Sequence, residues 1–241
     1  MEDKGVLTGC NQEQEWMLKW WWNHYSKHND YPVTFCDFGM SLPAKKWCEK
    51  RGNVLTYNPQ FLLKEKSQKA PWANHIAMNT WNKRHIWFSK AFILEKSPYE
   101  KTVWTDLDCE ILQNIAPLFE MTACKDGFAI AHDSDENNEK ARHINILKEG
   151  VQGLQVGVLS FTKGSPVIPA WINYCMKHLD TEISEQTAIS HLLHKTPFDI
   201  TTFSSKYNWL IPENSTSDVV IKHHTGHSRK RKLFIEMKFD G

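Results

Sequence analysis

The 241-residue sequence lacks the features that mark several large classes of protein. Its 29 Lys and Arg residues are balanced by 28 Asp and Glu, so the net charge of +1 gives no general attraction to nucleic acid. No apolar run approaches the roughly 18 residues of a membrane-spanning helix. The first residues lack the basic start and long apolar region of a secretory signal. These absences predict a cytoplasmic protein with no nucleic-acid partner and no membrane span.

Paired cysteines are also lacking, since the six cysteines lie far apart and form no Cys-x-x-Cys motif. This spacing predicts reduced, mostly buried thiols rather than a disulfide framework or a cysteine zinc site. Hydrophobic residues make up 41% of the chain and charged residues 24%, which is the balance of a folded globular domain. The 11 tryptophans exceed average usage. Tryptophan packs cores and also stacks on nucleobases and on the apolar faces of sugars, and we expect Trp171 and Trp209 to be the ones freer to stack.

Short apolar runs alternate with longer segments of helical periodicity, which predicts an α/β fold with a mostly parallel central sheet flanked by helices. The predicted strands are 5–9, 32–37, 54–57, 101–106, 109–111, 127–132, 154–162, 219–223 and 233–237. The predicted helices are 12–25, 42–51, 74–96, 166–179 and 184–194. The very polar segment 133–140 is predicted to be a solvent-exposed loop.

Two aspartates directly follow the predicted strand 101–105. Asp106 and Asp108 thus lie at the carboxyl end of a central strand, where α/β sheets bind ligands. Residues i and i+2 of an extended chain point the same way, so both carboxylates can share one hard cation such as Mn²⁺ or Mg²⁺. The alternative is an aspartate pair that caps a turn. A second pair, Asp133 and Asp135, opens a charged run and is assigned to solvent.

A histidine cluster at residues 223–227 offers a nitrogen ligand. With Asp106 and Asp108, His224 would supply two oxygens and one imidazole, a set that suits Mn²⁺ better than Ca²⁺. A chance edge strand and a small zinc site are the alternatives. Gly226 permits close approach of the backbone to a phosphate, and the basic run 229–232 adds positive charge, although such a run is equally typical of solvated surface.

Residues 88–108 form a predicted helix, a Ser-Pro turn and a strand that ends in Asp-x-Asp. This arrangement resembles the nucleotide-sugar-dependent glycosyltransferases of the GT-A fold, most closely the family 8 type. Gln155 and Arg229 stand where the family has Asn and Lys. Further similar segments follow in the family's order, at residues 6–9, 37–41, 155–158, 185–186 and 224–229.

The resemblance implies a role for each matched position. The implied metal ligands are Asp106, Asp108 and His224, and the implied catalytic residues are Glu185 and Gln186. The implied contacts to the nucleotide-sugar are Thr8, Asp37, Lys90, Gly226 and Arg229.

Glu185 would stabilise the positive charge that develops on the anomeric carbon during retaining sugar transfer. From the residues alone, a Ser184-Glu185 pair is equally well explained as the start of a helix. Lys90 is likewise explained without the family as an exposed charge on a helix.

The sequence therefore predicts a single GT-A domain over residues 1–241, with nucleotide binding in 1–110 and acceptor binding and catalysis in 111–241. The implied activity is retaining transfer of a sugar from a UDP-sugar to a hydroxyl of a carbohydrate or glycoconjugate, with Mn²⁺ or Mg²⁺. One alternative is a non-catalytic glycan- or nucleotide-binding descendant. Another is a sugar nucleotidyltransferase, but the Gly-rich phosphate loop of that class is missing around Gly9.

Overall fold

The computed structural model describes residues 3–58, 70–75, 78–210 and 216–239. Its strands are β1 (Lys4–Cys10), β2 (Val33–Asp37), β3 (Asn53–Thr56), β4 (Lys101–Thr105), β5 (Cys109–Ile111), β6 (Phe128–His132), β7 (Leu154–Thr162), β8 (Thr201–Phe203) and β9 (Ile221–His223). Its α-helices are α1 (Leu18–His28), α2 (Leu42–Glu49), α3 (Met78–Leu94), α4 (Ala116–Glu120), α5 (Asp135–His143), α6 (Val167–His178), α7 (Glu185–Lys195) and α8 (His227–Phe239).

Seven strands form the central sheet, in the order β3-β2-β1-β4-β7-β6-β8. Strands β3, β2, β1 and β4 are parallel, β7 is antiparallel to β4 and β6, and β8 is parallel to β6. This sheet, with helices packed on it, confirms the predicted α/β fold. Strands β5 and β9 form a separate antiparallel pair. The sheet contains strands from both sides of residue 110, and the single domain and its division there remain predictions.

Helices cover both faces of the sheet. On one face α1 buries Trp21 and Tyr25, whose i and i+4 spacing places both rings towards the sheet and stacks them with centroids 4.9 Å apart. On the other face α3 and α6 bury Phe88 and Trp171. Burial of each such side chain contributes roughly 2–3 kcal/mol. The core therefore lies in two layers with the sheet between them.

Most predicted elements are found close to their predicted bounds. The predicted helix 12–25 begins with a 3-10 turn at Glu15–Met17 and continues as α1. Of the predicted helix 74–96, residues 76–77 lie outside the described residues, and α3 accounts for 78–94. None of the helices in the described part of the chain combines the length and apolar character needed to cross a membrane.

The prediction of a loop at 133–140 is wrong, because residues from Asp135 onwards form α5. The Ser134 hydroxyl accepts a hydrogen bond from the backbone N–H of Asn137 at 3.2 Å and thereby caps the helix. The first turn is acidic and the last turn is basic, an arrangement that complements the helix dipole. The cap and the order of the charges therefore favour a helix in a segment whose overall polarity is typical of a loop.

The prediction of a strand at 233–237 is also wrong, because this segment belongs to α8. The chain turns at Gly226, whose φ of +86° favours glycine, and this turn separates β9 from the start of α8. Leu233 is buried and Met237 half-buried, and their i and i+4 spacing places both on one helix face. The surrounding Lys, Arg, Glu and Met residues are also good helix formers.

We predict that Ser134→Ala lowers the free energy of unfolding by about 1 kcal/mol, because the first turn of α5 loses its cap. Ser134→Asn is the matched control and should stay within a few tenths of a kcal/mol of the wild type, because an Asn side chain also caps helices. Urea denaturation of the three proteins measures both effects. Equal stability of Ser134→Ala and wild type would contradict the described cap.

Candidate active site

The largest group of predicted site residues lines one cavity of about 410 Å³ at the carboxyl ends of β1 and β4. The backbone N–H of Asp106 donates to the carbonyl of Gly157 at 2.8 Å, so β7 fixes the chain just beyond β4. A ligand cavity at this edge is expected for an α/β sheet. The predicted residues that line it are Lys90, Asp106, Asp108, Glu185, Gln186 and Gly226.

A buried ammonium joins three elements at the base of this cavity. Lys90 on α3 lies 2.9 Å from Asp106 Oδ1 and 3.3 Å from Glu185 Oε1, and donates to the carbonyl of Val156 at 3.2 Å. Burial lowers the pKa of Lys90, but the carboxylates more than offset this and leave the pKa above its ordinary value. Trp104 Nε1 donates to Asp106 Oδ1 at 2.6 Å, which fixes the carboxylate further. Lys90 is therefore not an exposed helix charge.

Glu185 is the first residue of α7 and is buried within the cavity wall. Ser184 caps the helix through the N–H of Thr187, and the indole N–H of Trp171 donates to the carbonyl of Glu185 at 2.9 Å. Trp171 is thus a buried support of this site, and the prediction that it stacks on a sugar is wrong. Burial raises the pKa of Glu185 to about 7, although Lys90 opposes the shift. Its Oε2 atom has no hydrogen-bond partner among the described residues.

Asp108 is also buried and meets two basic side chains. Lys230 Nζ on α8 lies 2.9 Å from Asp108 Oδ2, and His223 Nε2 lies 3.3 Å from Asp108 Oδ1. Burial opposes ionisation of Asp108, but Lys230 and His223 hold its pKa well below the ordinary value. His223 Nε2 also lies 3.9 Å from Asp106 Oδ2. The structure therefore places His223, and not the predicted His224, beside the two aspartates.

The orientation of His223 is fixed by an amide. Asn208 Nδ2 donates to the carbonyl of Gln155 at 3.5 Å, which turns Asn208 Oδ1 towards His223 Nδ1 at 2.8 Å. In this arrangement Nδ1 carries a hydrogen and donates, so Nε2 is the ring atom that faces Asp108. A proton on Nε2, or a cation in its place, can join Nε2 to Asp108 Oδ1, 3.3 Å away. Metal-binding histidines are commonly oriented in this way by a second residue.

Gly157 makes room for the imidazole of His223. A Cβ atom at position 157 would come within 3.0 Å of three ring atoms of His223. The glycine of the Gln155-Val156-Gly157-Val158 segment therefore has a steric reason that involves no ligand.

His224 lies on the opposite side of the β5–β9 pair. Its Nε2 atom lies 3.0 Å from Glu110 Oε2, and its ring packs edge-on against Trp20 with centroids 5.7 Å apart. The hydrogen bond from His224 holds the pKa of Glu110 below its ordinary value. His224 does not line the cavity.

Three other predicted residues also lie away from the cavity lining. Thr8 is fully buried in β1, where the next residue, Gly9, reaches the cavity instead. Asp37 is buried and accepts hydrogen bonds from the N–H groups of Gly39 and Met40 at 2.9 and 2.7 Å, which hold its pKa down against the effect of burial. Arg229 is half-buried on α8 and does not line the cavity.

Asp133 lines the cavity, so its assignment to solvent is wrong. Its Oδ1 accepts from Asn137 Nδ2 at 2.7 Å, and its Oδ2 lies 3.5 Å from Gln186 Nε2. Burial raises the pKa of Asp133 above its ordinary value. Asp133 and Gln186 together form a polar wall beside Glu185.

The sequence named His223 and Lys230 only as members of the histidine cluster and of the basic run, and it gave no role to Asn208. The alternation of buried Ile221 and His223 with half-buried Lys222 and His224 is the signal that separates the two histidines. Lys230 can be placed beside Asp108 only once residues 227–239 are known to form a helix. Nothing in the local sequence pairs Asn208 with a histidine 15 residues away.

We predict that Gly157→Ala lowers the free energy of unfolding by about 1–3 kcal/mol, because the added methyl group collides with the His223 ring. In the His223→Ala background the same change should cost clearly less, since the ring is gone. Denaturant unfolding of the two single variants and the double variant measures this coupling. Equal costs in both backgrounds would contradict the described contact.

We also predict a pH-dependent effect of Glu185. Its pKa is raised on folding from 4.5 to about 7, so the stability that its protonated form provides is complete below about pH 4.5 and is lost as the pH rises through about 7. Glu185→Gln, which stays neutral, should therefore gain stability relative to the wild type as the pH rises from about 4.5 to about 7, and the difference should then level off. Denaturant unfolding at several pH values measures the difference, and a constant difference would contradict the raised pKa.

No protein-family model and no curated protein matches the chain in sequence. Solved structures do match. The galactosyltransferase LgtC in complex with donor and acceptor sugar analogues has a TM-score of 0.60 at 13% identity, over 92% of this chain and 87% of that one. Apo mouse xyloside xylosyltransferase 1 has a TM-score of 0.57 at 14% identity, over 92% and 97% of the two chains.

The apo glycosyltransferase GlyE of Streptococcus pneumoniae has a TM-score of 0.62 at 14% identity, over 98% of this chain and 60% of that one. The chain therefore has the GT-A fold that these glycosyltransferases share, which confirms the fold implied by the sequence resemblance.

Proposed function

We propose that the protein is a glycosyltransferase that moves a sugar from a nucleotide-sugar, most simply a UDP-sugar, to a hydroxyl of a carbohydrate acceptor, with retention of configuration. The observation that carries this proposal is the meeting of Asp106, Asp108 and His223 in one cavity of a GT-A fold. The cytoplasmic location inferred from the sequence remains a prediction.

Asp106, Asp108 and His223 fit a divalent cation. His223 Nε2 and Asp108 Oδ1 lie 3.3 Å apart, and a cation bound by both would take the place of a proton between them. Two carboxylates and one imidazole suit Mn²⁺, with Mg²⁺ as the harder alternative. When bound, the cation would neutralise charge on the donor diphosphate. This set replaces the set with His224 that the sequence implied.

Lys230 would contact the diphosphate as well. It reaches the cavity from the first turns of α8, and Gly226 at the preceding turn lines the same cavity without a side chain. An ammonium that already pairs with Asp108 is well placed to pair with a phosphate oxygen instead. The phosphate-binding role that the sequence implied for Arg229 therefore passes to its neighbour.

Glu185 and Gln186 would act at the transferred sugar. As the bond from the anomeric carbon to the diphosphate oxygen breaks, positive charge develops on that carbon, and the unpartnered Oε2 of Glu185 would stabilise it. The acceptor oxygen then bonds to the carbon on the face that the diphosphate leaves, and its proton passes to the departing diphosphate. Asp133 and Gln186 would hydrogen-bond sugar hydroxyls.

We predict that UDP and Mn²⁺ together raise the melting temperature, and that His223→Gln abolishes the increase. At about 100 times its dissociation constant, a ligand adds roughly 2.7 kcal/mol of stability. His224→Gln is the matched control, since it changes the neighbouring histidine outside the cavity, and it should keep the increase. Differential scanning fluorimetry of the three proteins measures these effects.

Two outcomes would contradict this metal site. Loss of the increase in His224→Gln but not in His223→Gln would return the ligand role to His224. No increase in the wild type with any nucleotide and Mn²⁺ would favour a glycan-binding protein without turnover.

We further predict that Glu185→Gln lowers kcat about 100-fold or more, with a much smaller change in KM for the donor, because the charge is needed in the transition state. Glu185→Asp keeps the charge and should retain more activity. Both variants are measured by hydrolysis of a panel of UDP-sugars, with the released UDP as the readout. A normal kcat for Glu185→Gln would reduce Glu185 to a helix-terminal residue.

A further inference from the structure

The strand that follows the aspartates places a thiol beside the proposed metal ligands. Cys109 is fully buried and is the direct cross-strand partner of His223. Directly paired residues point to the same face of a sheet, so the thiol and the imidazole lie on one side. The metal-binding atoms of Asp108, Cys109 and His223 all lie within 4.8 Å of one another.

The Cys109 thiol donates a hydrogen bond to the carbonyl of Gly157 at 3.6 Å. Hard cations prefer oxygen ligands and would leave the thiol unused, whereas thiophilic cations bind sulfur readily.

We propose that Asp108, Cys109 and His223 bind a thiophilic divalent cation of the zinc type, as an alternative to the hard cation of the proposed function. Three protein ligands with a fourth open position are the arrangement of catalytic zinc sites. Ligand atoms of a tetrahedral zinc lie roughly 3.5 Å apart, so small side-chain rotations would complete the set. On binding, the S–H bond of Cys109 breaks, a sulfur–cation bond forms, and the proton passes to solvent.

Asp106 explains why this set is favoured for a thiophilic cation. Its Oδ1 is already engaged by Lys90 at 2.9 Å and by Trp104 at 2.6 Å. A cation held through Cys109 leaves these contacts intact and needs Lys230 to release Asp108 and the Cys109 thiol to lose its proton. The inference rests on the proposed function for the location of the two shared ligands, but it does not require that any sugar is transferred.

The test is a Co²⁺ titration of the full chain without nucleotide, followed by near-ultraviolet and visible absorption. Cobalt bound to a thiolate gives a charge-transfer band that cobalt bound only to oxygen and nitrogen does not. We expect this band in the wild type and its loss in Cys109→Ser and Cys109→Ala, with Co²⁺ affinity reduced at least about tenfold. Cys124→Ser, which changes a half-buried thiol elsewhere, is the matched control and should keep the band.

Co²⁺ binding without the band in the wild type, or a band that persists in both Cys109 variants, would overturn the inference. Circular dichroism of the variants shows whether each one is folded, and two substitutions of different polarity guard against the failure of one. The titration is read without UDP. Its failure is therefore distinguishable from failure of the proposed function, which is read from the joint effect of UDP and Mn²⁺.

Discussion

The buried ammonium of Lys90 is the contact on which the geometry of the site depends. It links Asp106 at the end of β4, Val156 in β7 and Glu185 at the start of α7, which no other described side chain does. Removing one partner of a buried ion pair typically costs about 3–5 kcal/mol, because the other charge is left uncompensated. The position of Glu185 relative to the aspartates is therefore set by the folding of α3 against the sheet.

A second group of paired charges lies at Asp108, which contacts both Lys230 and His223. Here the positive charge is the ammonium of Lys230 on α8, a helix that follows the turn at Gly226. The two lysines differ in their exposure to solvent. Lys90 is buried and fixed, whereas Lys230 is partly exposed and can exchange one anionic partner for another. If the protein transfers a sugar as proposed, this difference would give Lys90 a structural role and Lys230 a ligand-binding role.

Local patterns predicted the parts of the site that depend on one segment at a time. Asp106 and Asp108 follow from a strand and its end, whereas Glu185 was singled out by the family resemblance, because a helix start explains the Ser184-Glu185 pair equally well. The sequence led to His224 rather than His223 because neighbouring residues of a strand point to opposite faces, and spacing alone does not show which residue faces the aspartates. Asn208 depends on contact between distant segments. The misassignment of α8 had a similar cause. The short apolar run at residues 233–237 is compatible with a strand or a helix, and only the packing of Leu233 in the fold distinguishes the two.

The most direct test of the account is the position of the metal. Crystals grown with UDP and Mn²⁺, measured by anomalous diffraction, would locate the ion without assuming any reaction. The account predicts an anomalous peak in the cavity beside Asp108 and His223, with Asp106 facing it and UDP phosphate oxygens completing its surroundings. A peak at His224 and Glu110, or bound UDP with no metal near the two aspartates, would contradict it.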